Sequence, residues 1–171
     1  MAKEVASLDR ISNGRVILDI GAGWNAEEME NHGAPYKKRW SVLRERVLAI
    51  REIWCRDVAQ FHREFVDFDP LRSWPKPVQR SGPKILLGSK SKRCFERIID
   101  YCDGSMPIAS TGAEHDLANG LEMLRAQWKS VGRSPDSLEQ AVIGMPPEQD
   151  MARRLTNGCW LQAFDFQHTA R

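Results

Sequence analysis

Apolar and polar positions recur along this chain with two different periods, which predict a succession of strands and helices. Residues 16–21 form a short run of β-branched and apolar residues with one acid in it, typical of a strand buried on both faces. From Lys37 to Trp54 the apolar residues step by three and four positions instead, as they do on a helix. The predicted buried face of this helix comprises Trp40, Leu43, Val47, Ile50 and Trp54.

The rest of the chain continues this alternation of strands and helices. A helix over 2–11, with Val5 and Leu8 as its apolar positions and its charges facing solvent, precedes the first strand. Helices are also predicted over 89–102 and 114–131, and strands over 85–88, 105–108, 139–145 and 159–164. Strands that alternate with helices in this way are typical of an α/β fold with a parallel sheet.

Composition and charge narrow the possible classes of protein. The chain of 171 residues is 42% hydrophobic and 28% charged, which is ordinary for a globular domain. It has no apolar run of the ~18 residues that a membrane helix needs, and its first residues do not resemble a signal peptide. We therefore expect a cytoplasmic protein without a membrane partner. The four cysteines form no C-x-x-C pair, so the sequence predicts no metal site.

The first predicted strand runs into a glycine turn that is the strongest candidate for a ligand site. Gly21 and Gly23 allow a tight turn and close approach of a ligand to the backbone, and Asn25 can cap a helix that begins with two acids. The spacing also fits the dinucleotide fingerprint G-x-G-x-x-A. That fingerprint requires a second strand ending in an acid about 20 residues later, where this chain is still helical. A large side chain, Trp24, also stands where a pyrophosphate needs bare backbone.

A second glycine turn, Gly88-Ser89-Lys90, lies between a predicted strand and a predicted helix. The free N–H groups and the positive dipole end of a helix N-terminus attract anions. Ser89 and Lys90 add a hydroxyl donor and a positive charge. A plain helix cap by Ser89 or Ser91 is the alternative interpretation.

Several motifs, in order, resemble the luciferase-like monooxygenase superfamily, in particular its deazaflavin (coenzyme F420)-dependent oxidoreductases. The resemblance begins with Leu8-Asp9-Arg10-Ile11-Ser12-Asn13-Gly14-Arg15 and the turn Gly21-Ala22-Gly23-Trp24-Asn25. It extends from about Lys3 to Met145. The remaining matches are Gly33, Arg39, Phe61-His62-Arg63-Glu64-Phe65, Phe68, Pro75-Lys76-Pro77-Val78-Gln79, Gly88, Asp103-Gly104 and Gly132-Arg133-Ser134-Pro135.

This resemblance implies a (β/α)8 barrel, a fold that takes about 250 residues. We therefore expect an α/β fold in which 1–171 is a single, N-terminally incomplete barrel domain carrying strands 4 to 8. Residues 57–82 are expected to form an irregular excursion between helix 4 and strand 5, with a small hairpin about Phe61 to Phe68. Arg63 stands where a glycine is usual in that hairpin.

The resemblance also implies an activity, a cofactor and a site. The expected activity is hydride transfer between coenzyme F420, or alternatively FMN, and a small organic substrate. Gly21, Ala22, Gly23, Trp24 and Asn25 would flank the ring system, and Gly88, Ser89 and Lys90 would hold the cofactor's phosphate. No catalytic acid or base is assigned. The complete protein is expected to be a homo-oligomer, a dimer by resemblance.

Two other functions fit parts of the sequence. In the first, the chain is a non-catalytic truncated remnant or a shortened flavin-binding relative, and the chain alone is expected to be inactive. The basic cluster at 37–46 is typical of a solvated helix face, whereas the resemblance implies that Arg39 within it could instead brace the barrel. A nucleic-acid binder would use this cluster and the one at 90–93. The net charge of +2 does not provide the basic face that such binding requires, so no nucleic-acid partner is expected.

Overall fold

The computed structural model of the chain describes residues 1–33, 35–88, 91–108 and 114–143. It forms two compact units, Met1–Ile85 and Leu86–Arg171. The helices are α1 (Ala2–Ile11), α2 (Ala26–Asn31), α3 (Arg39–Cys55), α4 (Lys92–Tyr101) and α5 (Glu114–Ser130), with 3-10 helices at Tyr36–Lys38 and Pro135–Ser137. The strands are β1 (Ile17–Ile20), β2 (Ala59–His62), β3 (Asp67–Leu71), β4 (Lys84–Leu87), β5 (Gly104–Ser105) and β6 (Glu139–Gln140). No helix in this described part is long and apolar enough to cross a membrane.

In the first unit α1 packs on α3. The indole of Trp54, near the end of α3, donates a hydrogen bond to the carbonyl of Ala2 at 3.0 Å. Val5 is buried, whereas Leu8 is 48% exposed. The apolar face of α1 is therefore narrower than its sequence predicts.

Asp9 corrects the expectation that the charges of α1 all face solvent, because this side chain is fully buried. Its Oδ2 accepts hydrogen bonds from the backbone N–H groups of Val78 (2.8 Å) and Gln79 (3.1 Å). Its Oδ1 accepts a bond of 2.8 Å from the side-chain amide of Gln79, which also donates to the carbonyl of Val16 at 2.8 Å. Buried carboxylates are tolerated where such bonds satisfy their oxygens.

The excursion after α3 contains the expected hairpin, in which β2 and β3 pair antiparallel. Arg63 does not prevent the turn, since its N–H donates to the carbonyl of Val66 at 3.0 Å. Glu45 of α3, which lies outside the hairpin, holds the turn in place. Its Oε2 accepts bonds from the N–H groups of Phe65 (2.7 Å) and Val66 (3.0 Å).

The segment that follows the hairpin closes the end of α3. Lys76 donates from Nζ to the carbonyl of Ile53 at 2.7 Å and also to the carbonyl of Arg56. A cation at this position is favourable because the last carbonyls of a helix lack partners within the helix.

The second unit contains parallel strand pairs, as the sequence predicts. Leu86 and Leu87 are aligned with Gly104 and Ser105, which are in turn aligned with Glu139 and Gln140. An isolated parallel bridge joins Ile108 and Ile143. β5 and β6 are each two residues long, shorter than predicted. The predicted strand over 159–164 lies outside the described residues.

Helices of the second unit bury the faces that their periodicity predicts. On α5 the inward positions Leu117, Leu121, Leu124 and Trp128 are all buried. On α4 the buried residues are Cys94, Phe95, Ile98 and Tyr101, with Cys102 following the helix, whereas Ile99 is half-buried. Cys94 and Cys102 thus pack as small apolar side chains.

Candidate functional site

The turn after β1 leaves open space above its first glycine. Gly21 is exposed, and a Cβ added there would meet no atom within 4 Å. Gly23 has a φ of +82°, which disfavours other residues, and a Cβ there would lie 2.8 Å from Sδ of Met29. The second glycine is thus required by the turn itself, and the first leaves bare backbone facing free space.

Asn25 caps α2 as the sequence predicts. Its Oδ1 accepts hydrogen bonds from the N–H groups of Glu27 (3.1 Å) and Glu28 (3.3 Å). Both acids lie in the first turn of the helix, where the dipole favours negative charge. This cap fixes the direction in which the chain leaves the glycine turn.

Trp24 is 80% exposed, although a large aromatic side chain is normally at least partly covered. Within the described part of the chain its indole stacks on no other ring. A flat indole beside bare backbone at Gly21 fits a planar ring system, because the backbone admits close approach and the indole offers a face for stacking. The residues that the sequence predicts for the ring, Gly21 to Asn25, are brought together in this one turn.

A niche of about 50 Å³ borders the same turn and is lined by Gly21, Ala22 and residues of α3. Arg39 and Arg46 line it from α3. The remaining wall is apolar and is formed by Met29, Pro35, Val42 and Leu43.

Arg39 is half-buried, although the sequence groups it with the basic cluster of a solvated helix face. Its guanidinium lies 4.0 Å from the centre of the Tyr36 ring, and Nη1 donates to the carbonyl of Tyr36 at 3.0 Å. Its Nε is buried and has no hydrogen-bond partner among the described residues.

Asp19 of β1 is a polar residue that the sequence analysis did not single out. Only Leu18 of this strand is buried, so β1 is less covered than predicted, and Asp19 is half-buried. Its Oδ1 is inaccessible and has no hydrogen-bond partner in the described part of the chain. Burial raises the pKa of Asp19 to about 7, against a smaller opposing effect of a backbone hydrogen bond from Ile20. The feature of the sequence that could have identified Asp19 is the presence of an acid inside an apolar strand.

The second predicted turn is described only in part. Gly88 is half-buried and directly follows β4, whereas Ser89 and Lys90 lie outside the described residues. Ser91 stands at the N-cap position of α4, and no side-chain capping bond to the helix is made there by a described residue. The proposed phosphate-binding role of this turn therefore remains a prediction.

Residues 1–147 match the family model described as luciferase-like monooxygenase. The chain belongs to this family. An uncharacterised protein of Mycobacterium tuberculosis is 35% identical over 155 residues, which cover 90% of this chain and 53% of that protein. An FMNH2-dependent dimethylsulfone monooxygenase of Pseudomonas putida is 32% identical over 106 residues, covering 58% of this chain and 29% of that protein.

Among solved structures, an F420-dependent secondary alcohol dehydrogenase in complex with an F420-acetone adduct superposes with a TM-score of 0.69. It is 22% identical and the match covers 82% of this chain and 43% of that chain. The likeness shows the fold, a luciferase-like (β/α) barrel of which this chain carries part. The chain spans about half the length of the M. tuberculosis relative.

Several motifs of this luciferase-like chain have structural roles. Asp9, from the first motif, is hydrogen-bonded to Val78 and Gln79 of the Pro75–Gln79 motif. In the motif after α5, Gly132 adopts a φ of +79° and Arg133 stacks 4.3 Å from the centre of the Trp128 ring. Each of these motifs therefore has a structural role within its own unit.

Proposed function

We propose that this luciferase-like chain contributes the cofactor-binding elements of an oxidoreductase that transfers hydride between coenzyme F420 and a small organic substrate. Relatives in the family use F420 or FMNH2, and FMN is the alternative cofactor here. The redox chemistry belongs to the bound cofactor, and the protein binds and orients it.

The observation that carries this proposal is the pairing of open backbone at Gly21 with the exposed indole of Trp24. Aromatic rings prefer offset-stacked or edge-to-face contacts, which add roughly 0.5–1.5 kcal/mol beyond area burial. An indole left 80% exposed gains that contact when a planar ring binds. Asn25 supports the arrangement by fixing the start of α2.

The phosphate of the cofactor is assigned to Gly88, Ser89 and Lys90 in this proposal. Gly88 follows directly after β4, so a ligand can approach its backbone. A hydrogen bond to a charged group contributes roughly 1.5–3 kcal/mol. Lys90→Ala is therefore expected to weaken cofactor binding about 10- to 150-fold, and Gly88→Val is expected to weaken it further by blocking the backbone.

The test is a titration of the 171-residue chain with F420 and, separately, with FMN, followed through cofactor fluorescence. Trp24→Leu is expected to weaken binding of the ring about tenfold. Trp74→Leu is the matched control, because Trp74 is also an exposed tryptophan of the first unit, at 58%. It is expected to bind as the unsubstituted chain does.

The two titrations separate the alternatives. Tighter binding of F420 supports the proposal, and tighter binding of FMN assigns the chain to the flavin-dependent members of the family. Binding without turnover of any substrate is expected both of a truncated remnant and of a shortened relative without catalysis. Failure to bind either cofactor overturns the proposal, as does an equal loss in Trp24→Leu and Trp74→Leu.

A further inference from the structure

The niche at the glycine turn is positively charged, as expected of a site that binds anions. Among the described residues that line it, the two ionisable ones, Arg39 and Arg46, are both cations and none is an acid. They are seven positions apart on α3, which is about two turns and places them on one face of the helix. The rest of the wall is apolar, and charges attract more strongly beside such surfaces than in open water.

Arg39 is held in place at this niche by Tyr36. One side of its guanidinium is occupied by Tyr36, through stacking at 4.0 Å and a hydrogen bond of 3.0 Å to the carbonyl. The buried Nε has no acceptor among the described residues. That nitrogen is closed to solvent, so a ligand in the niche would meet the guanidinium through its other nitrogens.

Arg46 differs from Arg39 in being exposed at the outer side of the niche. It forms no ion pair with any carboxylate in the part of the chain that the structure describes. The guanidinium of an arginine presents its donors in a planar fork that matches the oxygens of a carboxylate or phosphate. One arginine is thus held in place by stacking, and the other is free to turn toward a ligand.

The volume restricts what the niche can hold. A buried water requires roughly 10–15 Å³ measured in this way, so about 50 Å³ has room for a few waters or one oxyanion group. Pockets for whole drug-sized ligands measure roughly 300–1,000 Å³. The niche therefore admits a terminal group and excludes a flavin ring.

We propose that this niche binds a small oxyanion, a carboxylate or phosphate group, between Arg39 and Arg46. The group belongs either to an organic substrate or to the tail of a cofactor, and the chemistry that recognises it is the same. This proposal can be tested apart from the redox function, because the niche is too small to hold the ring.

The test uses inorganic phosphate and acetate as probes, titrated by calorimetry into the 171-residue chain at constant ionic strength. Arg46→Gln is expected to weaken phosphate binding at least tenfold. Arg39→Lys, which keeps the charge and loses the fork, is expected to weaken it as well. The matched control is Arg44→Gln, which removes the same charge from an exposed position of α3 that does not line the niche, with an expected change below twofold.

Thermal unfolding separates binding from folding. Phosphate is expected to raise the Tm of the unsubstituted chain and of Arg44→Gln, and to leave that of Arg46→Gln unchanged. Arg46 is exposed, so its replacement leaves the fold intact. No phosphate or acetate binding by the unsubstituted chain overturns the proposal, and so does an equal loss in Arg44→Gln and Arg46→Gln.

Competition identifies the source of the oxyanion. If FMN displaces phosphate and riboflavin does not, the cofactor's phosphate occupies the niche, and its assignment to Gly88, Ser89 and Lys90 is wrong. If phosphate and FMN bind together, the niche serves an anionic substrate. Trp24→Leu is expected to retain phosphate binding, so failure of the ring site and failure of the niche are distinguishable.

Discussion

The carboxylate of Asp9 and the amide of Gln79 are joined by a hydrogen bond of 2.8 Å across 70 positions of the sequence. The backbone N–H of Gln79 donates to the other carboxylate oxygen at 3.1 Å. One buried acid therefore ties the first helix to the segment that precedes β4.

Replacing this acid is expected to destabilise the first unit. Asp9→Ala leaves the N–H groups of Val78 and Gln79 without their acceptor, at a cost of about 3 kcal/mol in the free energy of unfolding. Urea denaturation measures this loss. Asp57→Ala, at an exposed position, is expected to change the unfolding free energy by less than about 0.5 kcal/mol. Equal stability of the two variants would contradict the role of Asp9.

The same acid predicts a dependence of stability on pH. Burial alone would raise the pKa of Asp9, but hydrogen bonds from Gln79 and Val78 outweigh it and hold the pKa below its ordinary value of 3.8. The folded state thus binds the proton less readily than the unfolded state does. The contribution of Asp9 is complete above that ordinary value and is lost as the pH falls through the lowered pKa. Denaturation of Asp9→Asn below pH 4 is expected to show a smaller acid dependence.

Asp19 predicts the opposite slope in a different range of pH. Because its pKa is raised from 3.8 to about 7, the folded state retains the proton, and stability falls as the pH rises from about 4 to about 7. Asp19→Asn is expected to remove this fall and to be more stable above pH 7, by on the order of 2–4 kcal/mol. Thermal scans at pH 5 and pH 8 test this, with Asp57→Asn as control. A variant whose Tm follows that of the unsubstituted chain at both pH values rules out the assignment.

The hydrogen bonds by which Glu45 holds the hairpin turn can be tested directly. Glu45→Ala removes two charge-assisted hydrogen bonds to the turn, from Phe65 and Val66, and is expected to cost about 3 kcal/mol. Limited proteolysis is expected to cut the chain faster within 63–66. Glu52→Ala, which removes an acid of α3 that pairs with Arg56 at 3.4 Å, serves as the control. Equal cleavage in both variants would show that the turn is held by other contacts.

Two glycines of the second unit form a matched pair with opposite expectations. A Cβ at Gly104 would lie 1.9 Å from the carbonyl oxygen of Glu139, so Gly104→Ala is expected to destabilise the strand pair by about 2 kcal/mol or more. A Cβ at Gly120, within α5, would lie 3.7 Å from Phe95, an ordinary contact. Gly120→Ala is expected to stabilise the protein by about 0.5–1 kcal/mol. Chemical denaturation measures the free energy of unfolding of both variants. A loss of stability in Gly120→Ala would contradict the contact with Phe95 described here.

Local patterns predicted those parts of the structure that local physics controls. The period of α5 identified its buried face, and Asn25 was recognised as a cap because the capping bonds span only two or three residues. Parallel pairing of β4, β5 and β6 followed from the alternation of strands and helices. The turn Gly21 to Asn25 was identified as a candidate site from its glycines, and its role in binding stays a prediction.

Features that depend on distant partners were missed. From the sequence alone, Asp9 cannot be distinguished from the surface charges of an amphipathic helix, because its role as an acceptor depends on Gln79, 70 positions later. Arg39 was grouped with its solvated basic neighbours. Its stacking on Tyr36 depends on side-chain conformation, which the period of apolar residues along the helix does not predict. The raised pKa of Asp19 depends on what covers β1, which the sequence of the strand alone does not specify.

The bond between Asp9 and Gln79 also has a consequence for synthesis of the chain on the ribosome. A contact across 70 positions has to await the emergence of Gln79, so α1 leaves the exit tunnel well before its buried acid finds a partner. Contacts of such large sequence separation form slowly, and incompletely folded intermediates expose apolar surface. Helix α1 therefore remains open to chaperones and proteases until Gln79 has emerged and the buried acid is bound.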